Sequence, residues 1–133
     1  MSGVAPRQLL RKAAEAAAEA YCPYSRYRVG AALMTTGGEL FLGSNVENAS
    51  YGLSLCAERV ALVKAVSAGC RDFRAMAVVA DGSVVPYPCG ACRQALSEFC
   101  SPRFLIYVAT SKSPGGYRRF TLGSLLPKSF ELL

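Results

Sequence analysis

The sequence contains Cys56-Ala57-Glu58-Arg59 and, further along, Pro88-Cys89-Gly90-Ala91-Cys92-Arg93-Gln94, and three cysteines of these stretches have a spacing typical of zinc sites. Cys89 and Cys92 lie three residues apart, so both thiols point the same way if they occupy the first turn of a helix. Cys56 is the candidate third ligand. Structural zinc sites normally have four protein ligands, whereas three leave one position open to water. The spacing therefore predicts a catalytic zinc site, and a structural site with an unidentified fourth ligand is the alternative.

The absence of histidine limits the chemistry that the chain can perform. A histidine-ligated metal, a histidine-containing catalytic triad and an imidazole general base are all excluded. A proton shuttle that works near neutral pH must then be a carboxylate, a thiol, a lysine or a metal-bound water. Glu58 follows Cys56 by two residues and is the candidate that the spacing favours. The alternative interpretation of Glu58 is a solvated helix residue without a role in catalysis.

Length and composition predict one domain, residues 1–133, with a hydrophobic core of its own. Apolar residues make up 52% of the chain, but no run approaches the roughly 20 that span a bilayer. Met1–Arg11 lacks the continuous apolar segment of a signal peptide, so we expect a reduced, cytoplasmic protein without a membrane partner. The cysteines outside the two stretches are then expected to be ordinary thiols: Cys22, Cys70 and Cys100.

The net charge of +6 results from 15 basic and 9 acidic residues. The basic residues are scattered along the chain, without a run or an Arg/Gly repeat, which is typical of a solvated surface. An enzyme that acts on polynucleotides would be expected to have added basic or aromatic segments that hold a strand, and none is recognisable. We therefore expect no nucleic-acid partner.

Apolar periodicity and turn residues predict the element order α-β-β-α-β-α-β-β-α. Phe73–Asp81 is an almost uninterrupted apolar run, as expected of a strand that helices cover on both faces. The predicted fold class is α/β, a three-layer α/β/α sandwich around a mixed five-stranded sheet. We expect tight turns at Thr36–Glu39 and Ser113–Gly116. The predicted helices are Pro6–Tyr21, Cys56–Ala68, Cys89–Cys100 and Leu122–Leu126, and the predicted strands are Tyr27–Thr35, Leu40–Asn45, Phe73–Asp81, Phe104–Thr110 and Tyr117–Thr121.

Both cysteine-containing stretches lie where loops lead into predicted helices. The free N–H groups and positive partial charge of a helix N-terminus stabilise thiolates and lower the pKa of cysteine. Three thiolates nevertheless supply more negative charge than one Zn²⁺ neutralises, which weakens its ability to acidify water. Arg59 directly follows Glu58 and is expected to offset this charge through hydrogen bonds to the sulfurs. A surface ion pair is the alternative for Arg59.

Four further stretches belong to the same pattern: Tyr21-Cys22-Pro23-Tyr24-Ser25, Val29-Gly30-Ala31-Ala32-Leu33, Asn45-Val46-Glu47-Asn48-Ala49, and Leu125-Leu126-Pro127 with Phe130. Together with the two cysteine-containing stretches, they resemble the zinc-dependent cytidine deaminase family, in its short-chain form with three cysteine ligands. The resemblance covers the chain from about Leu9 onward. It implies a cytidine deaminase-like fold and one Zn²⁺ per subunit, with Cys56, Cys89 and Cys92 as ligands.

The resemblance also implies a reaction. Cytidine and 2′-deoxycytidine would be hydrolysed to uridine and 2′-deoxyuridine with release of ammonia, as in pyrimidine salvage. Glu58 is implied to take a proton from zinc-bound water and to deliver it to N3 of cytosine. The resulting zinc-bound hydroxide would attack C4, and the same carboxylate would then help to expel ammonia.

The substrate contacts follow from the same resemblance. Asn45 and Glu47 match a pair that binds the ribose hydroxyls, and Tyr27 stands where the family usually has a phenylalanine against the pyrimidine. The backbone of Ala57 is expected to contact the base. Phe130 is implied to reach into the active site of a neighbouring subunit, in a homotetramer with shared sites. From the residues alone, Asn45 and Glu47 belong to a polar loop, and a terminal aromatic packs on its own domain.

Three other functions remain open at this point. The same chemistry could act on a modified cytosine nucleoside of the blasticidin type, although Asn45 and Glu47 together favour an ordinary ribose. An enzyme that edits polynucleotides is the second alternative, and a zinc-stabilised binding module without catalysis is the third. Glu58 and the missing fourth zinc ligand argue against the binding module.

Overall fold

The computed structural model describes residues 5–132 of the chain. These residues form four α-helices, one short 3₁₀-helix and five β-strands. The helices are α1 Pro6–Ala17, α2 Ala57–Ser67, α3 Gly90–Ser97 and α4 Leu122–Leu125, with the 3₁₀-helix at Tyr51–Leu53; the strands are β1 Val29–Thr35, β2 Leu40–Ser44, β3 Phe73–Ala80, β4 Leu105–Thr110 and β5 Ser113–Thr121. None of the helices in the described part combines the length and the hydropathy that crossing a membrane requires.

The strands form one mixed sheet in the order β2-β1-β3-β4-β5. β3 and β4 are parallel, and the other neighbouring pairs are antiparallel. A parallel pair requires a crossover connection, and α3 provides it. The carboxyl end of β3 therefore leads into the loop before α3, which is the place where open α/β sheets usually bind their ligands.

Helices cover both faces of the sheet, as the apolar strands predict. On one face, Leu9 and Ala13 of α1 pack with Ala32 and Met34 of β1 in a buried cluster. Because side chains alternate between the two faces along a strand, the neighbouring residues point to the opposite face. There they pack beneath α2 and α3, among them Ala31, Leu33, Met76, Val78 and Ile106. The prediction of a three-layer α/β/α sandwich with a mixed five-stranded sheet is confirmed.

Two glycines in the strands allow the helices to approach the sheet closely. A Cβ atom at Gly43 of β2 would lie 2.5 Å from the carbonyl oxygen of Ala57 and 2.5 Å from the amide nitrogen of Ala61, both in α2. A Cβ atom at Gly30 of β1 would lie 1.9 Å from the carbonyl oxygen of Ala13 in α1. A larger residue at Gly43 would push away the first turn of α2, which carries Glu58. Gly43 therefore helps to position the site.

Two helices are shorter than the sequence predicts. The first was expected to reach Tyr21 but ends at Ala17, and the third was expected to reach Cys100 but ends at Ser97. After Ala17 the backbone N–H groups donate to carbonyl oxygens three residues earlier, so the chain tightens into a turn. The other helix and strand boundaries, apart from the start of β5, agree with the predictions to within about two residues.

The turn predicted at Ser113–Gly116 is wrong. These residues belong to β5, and the chain reverses at residues 111–112 instead. Ser113 pairs with Thr110 across the hairpin, and the register shifts between Val108 and Thr110. Because β5 lies at the edge of the sheet, it can contain a proline and two glycines without breaking the backbone hydrogen bonds between the central strands.

Candidate metal centre and active site

The sulfur atoms of Cys56, Cys89 and Cys92 converge at the N-terminal ends of two helices. Cys56 directly precedes α2 and Cys89 directly precedes α3, so both occupy N-cap positions. Cys56 Sγ lies 3.8 Å from Cys89 Sγ, which in turn lies 3.6 Å from Cys92 Sγ. All three sulfurs lie within 4.8 Å of one another, and no second His, Cys, Asp or Glu cluster of this kind occurs among residues 5–132.

The spacing of the sulfurs fits a tetrahedral zinc ion. Zinc–sulfur bonds of about 2.3 Å at tetrahedral angles place sulfur atoms about 3.8 Å apart, close to the two distances of 3.8 and 3.6 Å. Cys92 is buried whereas Cys89 is exposed. A metal held here would be closed off on the side of Cys92 and accessible from the side of Cys89. The donor set also favours zinc, because thiolates prefer soft or borderline cations.

The acidities of the thiols are unequal in the absence of metal. A hydrogen bond from the Cys92 thiol, helped by the Arg59 guanidinium, lowers the pKa of Cys56 to about 5. The same hydrogen bond, together with burial, raises the pKa of Cys92 far above that of an ordinary thiol. Zinc coordinates thiolates, so metal binding must displace the Cys92 proton, whereas Cys56 is already ionised at neutral pH.

Arg59 lies against the metal cluster. Arg59 Nη2 is 3.8 Å from Cys56 Sγ and 3.5 Å from the carbonyl oxygen of Ser54. Arg59 Nε is buried and has no hydrogen-bond partner among residues 5–132. Within the same residues the guanidinium contacts a sulfur and not a carboxylate, so the structure gives no support to a surface ion pair. The position is suitable for the charge compensation predicted from the sequence.

Glu58 is buried in the first turn of α2, with 5% of its surface exposed. Burial raises the pKa of Glu58 to about 7, and the negative charge of Cys56 contributes to the same shift. A carboxyl group with a pKa near neutrality can both accept and return a proton, as a general acid–base catalyst must. The alternative of a solvated helix residue does not fit this burial.

A cleft of about 480 Å³ connects Glu58 to the metal cluster. Its walls combine apolar surface with a few polar groups, as is typical of sites for small molecules. The structure brings seven of the predicted site residues to this cleft: Tyr27, Asn45, Glu47, Cys56, Ala57, Glu58 and Cys89. Three predicted residues do not line it, of which Cys92 and Arg59 lie at the metal cluster and Phe130 lies elsewhere on the surface.

Asn45 is buried and holds the segment that leads into β1. Asn45 Oδ1 accepts from the Val29 N–H at 2.9 Å, and Asn45 Nδ2 donates to the Tyr27 carbonyl oxygen at 2.8 Å. An amide group can make four hydrogen bonds in all, so one N–H and one lone pair remain for another partner. The side chain can therefore bind a ligand in the cleft while it holds the backbone.

Glu47 is held as a carboxylate on the exposed side of the cleft. Glu47 Oε1 accepts from the backbone N–H groups of Tyr24 and Ser25 at 3.0 and 3.1 Å, and the Ser25 hydroxyl donates to Glu47 Oε2. The hydrogen bond from the Ser25 hydroxyl is the main reason why the pKa of Glu47 lies below its ordinary value. Glu47 is therefore an ionised hydrogen-bond acceptor at neutral pH.

Tyr27 lies in the wall of the cleft, and its hydroxyl group has a partner. The hydroxyl donates to the carbonyl oxygen of Val84 at 3.2 Å. Burial, followed by the nearby charges of Asp81 and Glu58, raises the pKa of Tyr27. The phenol therefore stays protonated and connects the start of β1 to the loop between β3 and α3.

The cleft also contains residues that the sequence analysis did not assign. Pro86 and Tyr87 could have been suspected from the sequence, because they stand three and two residues before the predicted metal ligand Cys89. For the others, the contacts depend on chain segments that only the fold brings together. The additional lining residues are Ser25, Val29, Ser54, Leu55, Val85, Pro86 and Tyr87.

Comparison with known proteins agrees with this geometry. The family model described as the cytidine and deoxycytidylate deaminase zinc-binding region matches residues 5–108. Cytidine deaminase of Halalkalibacterium halodurans is 47% identical to this chain, over 93% of this chain and 92% of its own length. A weaker match is blasticidin-S deaminase of Bacillus cereus, at 31% identity over 66% of this chain and 69% of its own length.

Solved structures show the same relationship in three dimensions. Cytidine deaminase from Burkholderia pseudomallei superposes with a TM-score of 0.89 at 44% identity, covering 98% of this chain and all of its own. Cytidine deaminase from Mycobacterium tuberculosis gives 0.84 at 42% identity, over 98% of this chain and 100% of its own. The matched family model and these similarities in sequence and structure show that the chain belongs to the cytidine and deoxycytidylate deaminase family, and the match covers the zinc-binding region of that family.

Proposed function

We propose that this protein is a zinc-dependent hydrolase that converts cytidine and 2′-deoxycytidine to uridine and 2′-deoxyuridine, with release of ammonia, in pyrimidine salvage. The observation that carries this proposal is the position of Glu58, a buried carboxyl group in the same cleft as the three-cysteine cluster. Membership of the deaminase family and the cytidine deaminases among its relatives support the same reaction.

Cys56, Cys89 and Cys92 would hold one zinc ion per subunit. When bound, the metal supplies a polarised water as the nucleophile for C4 of cytosine. The positive ends of α2 and α3 stabilise the thiolates, and the Arg59 guanidinium offsets part of their charge. Arg59 thereby keeps the ligand set from neutralising the metal completely.

Glu58 moves the protons of the reaction. Its carboxylate accepts a proton from the attacking water and donates it to N3 of cytosine. The same carboxylate then takes the remaining proton from the hydroxyl group on C4 and delivers it to the amino group, so that the C4–N bond breaks, the C4 carbonyl forms and ammonia leaves. Because Glu58 is buried, bulk water does not compete for these protons.

The rest of the cleft orients the nucleoside. Asn45 and Glu47 bind the sugar hydroxyls with the hydrogen-bonding capacity that remains to them, and the ring of Tyr27 packs against the pyrimidine. The backbone of Ala57, between a metal ligand and the proton shuttle, contacts the base. These contacts favour a free nucleoside with an ordinary ribose or deoxyribose.

We further propose that the protein is a cytoplasmic, single-domain subunit (residues 1–133) of a homotetramer with shared active sites. Phe130 lies outside the cleft of its own chain, and 71% of its surface is exposed. An aromatic side chain with this exposure is suited to insertion into a neighbouring subunit. In the assembly, Phe130 would cover the nucleoside bound in the cleft of the adjacent copy.

A modified cytosine nucleoside of the blasticidin type is the second candidate substrate. The relative from Bacillus cereus supports it, but its identity and coverage are lower than those of the cytidine deaminases. A binding module without catalysis has less support, because it leaves the buried Glu58 unexplained.

The test is the ultraviolet absorbance change on mixing cytidine with zinc-loaded wild type, Glu58→Gln and, as a control, Glu98→Gln on the exposed end of α3. We expect turnover by the wild type and the control, and a loss of at least about a hundredfold in kcat for Glu58→Gln. Equal turnover by all three would remove Glu58 as the proton shuttle. No turnover of cytidine by the wild type would overturn the proposal, and blasticidin-type nucleosides would then be tested next.

A further inference from the structure

One side chain, Gln94, ties the C-terminal segment of the chain to α3. Gln94 Nε2 donates to the carbonyl oxygen of Phe130 at 3.0 Å, and the Phe130 N–H donates to Gln94 Oε1 at 3.1 Å. The side-chain amide of Gln94 thus donates to and accepts from the backbone of one residue, Phe130. Two bonds of opposite direction fix the orientation of the segment as well as its position. The Phe130 side chain is left free and is 71% exposed.

The helix that carries Gln94 also carries part of the metal cluster. Gln94 lies two residues after Cys92. The neighbouring Arg93 makes similar connections, because its Nε donates to the Pro88 carbonyl oxygen at 2.6 Å and its Nη1 donates to the Leu125 carbonyl oxygen at 2.9 Å. The loop before α3, the end of α4 and the C-terminal segment are thus joined to one helix. These bonds resist any movement of the segment relative to the metal cluster.

We propose that Gln94 is a positioning residue, whose amide holds the C-terminal segment so that the ring of Phe130 is presented to the cleft of a neighbouring copy of this chain. This role rests on the proposed function, in which Phe130 covers the nucleoside in the adjacent subunit. A segment without such bonds would have to be ordered each time a site is completed, which costs conformational entropy. Gln94 removes that cost in advance and touches no substrate itself.

The first variant to examine is Gln94→Met, which keeps the length of the side chain and removes both hydrogen bonds. We expect hydrogen exchange at the Phe130 amide to accelerate at least about tenfold. The KM for cytidine should rise about three- to tenfold, the effect of losing one or two neutral hydrogen bonds, with kcat changed less than about twofold. Zinc content and tetramer mass should stay at wild-type values. The matched control is Gln8→Met, on the exposed face of α1 across the sheet, which should change none of these quantities.

A double variant separates positioning from general structural damage. Phe130→Leu should raise KM, because the aromatic cover is lost. If Gln94 acts only through Phe130, Gln94→Met adds nothing to Phe130→Leu, and the double variant has the KM of Phe130→Leu alone. A merely structural role of Gln94 would instead add its own loss to that of Phe130→Leu.

Each result supports or overturns the role of Gln94. Unchanged exchange at the Phe130 amide in Gln94→Met would show that the hydrogen-bond pair does not hold the segment. Faster exchange with an unchanged KM, or additive losses in the double variant, would overturn the positioning role and leave the deaminase activity in place. Failure of the zinc-loaded wild type to deaminate cytidine would instead remove the proposed function, and this role with it, whatever the exchange rate.

Discussion

The two sides of the cleft are built in different ways. On the metal side (Cys56, Cys89 and Cys92), two helix N-termini determine where the sulfurs lie. On the loop side (Tyr27, Asn45 and Glu47), the side chains lie outside the helices and strands and are positioned by hydrogen bonds to segments far away in the sequence. We therefore expect that variants on the metal side lose function while the fold persists. On the loop side the side chains that support the fold also line the cleft, where we expect the substrate to bind.

The largest effect is expected from Cys92→Ser on the metal side. A serine hydroxyl is a poor zinc ligand, so the cluster keeps two thiolates and loses its affinity for the metal. We expect zinc content to fall close to zero and kcat/KM for cytidine to fall by at least about a thousandfold. Zinc analysis of the purified variant and the ultraviolet assay measure the two effects.

Cys70→Ser is the control for this prediction, because Cys70 is a partly buried thiol outside the cluster. It should retain zinc and activity. If Cys92→Ser also kept a full complement of zinc, the three-cysteine site would be refuted, and a different ligand set would have to be sought.

The next prediction concerns the pH dependence of stability in the metal-free protein. In the folded state the pKa of Glu58 is about 7, above its ordinary value of 4.5, so the folded protein holds this proton more tightly than the unfolded chain. The resulting stabilisation is present at low pH and is lost as the pH rises through about 7. Gln cannot ionise, so Glu58→Gln does not lose this stabilisation. When the pH is raised from 5 to 8, the free energy of unfolding of Glu58→Gln minus that of the wild type should increase by about 2–3 kcal/mol.

Urea unfolding of both metal-free proteins at the two pH values tests this. Both carry the same cysteines, so the part of the cysteine titration that is independent of Glu58 cancels in the comparison, and the part coupled to Glu58 through Cys56 belongs to the effect that is measured. Glu98→Gln, at the exposed end of α3, should unfold in parallel with the wild type at both pH values. A difference between wild type and Glu58→Gln that does not change with pH would mean that Glu58 is not protonated near neutrality in the folded protein.

The metal side was accessible from the sequence because part of its cause is local. The spacing of Cys89 and Cys92 brings two sulfurs together at one helix start. Cys56 precedes Cys89 by 33 residues and reaches them only through the fold, so the sequence showed it as a candidate ligand by its residue type and its predicted helix start. On the loop side the partners are distant: Glu47 accepts from Ser25, 22 residues away, and Tyr27 donates to Val84, 57 residues away. Residue patterns do not reveal such pairs, and the resemblance to a known family alone pointed to these residues.

The fold itself shows the same division. The apolar strands and their burial between helices followed from composition and periodicity, because most residues of a strand that helices cover on both faces are apolar, whatever their partners are. The error at Ser113–Gly116 has a long-range cause. Proline and glycines indicate a turn in isolation, but β4 extends the pairing along this segment at the edge of the sheet.

Asn45→Ala tests whether the loop side supports the fold. It removes the partners of the Val29 N–H and the Tyr27 carbonyl group. We expect a loss of about 2 kcal/mol in the free energy of unfolding, since two hydrogen bonds in a partly buried place are broken. Asn48→Ala is the matched control, because Asn48 accepts only from the Ser50 N–H on the exposed surface and should cost less than about 1 kcal/mol. If urea unfolding showed that Asn45→Ala loses no more free energy of unfolding than Asn48→Ala, the buried amide of Asn45 would not be a structural support.

Tyr27→Phe is expected to have the smallest effect. It separates the contribution of the Tyr27 hydroxyl group from that of the ring. The variant keeps the ring in the wall of the cleft and loses only the exposed hydrogen bond to the Val84 carbonyl oxygen. We expect less than about 1 kcal/mol in the free energy of unfolding and less than about a threefold change in KM for cytidine. Tyr27→Ala, which removes the ring, should raise KM by about tenfold or more. If Tyr27→Phe alone produced the tenfold rise, the hydroxyl group would have to act on the substrate directly. Tyr27 would then determine specificity through its hydroxyl group, and substrate binding on the loop side would depend on a hydrogen bond that a phenylalanine ring cannot make.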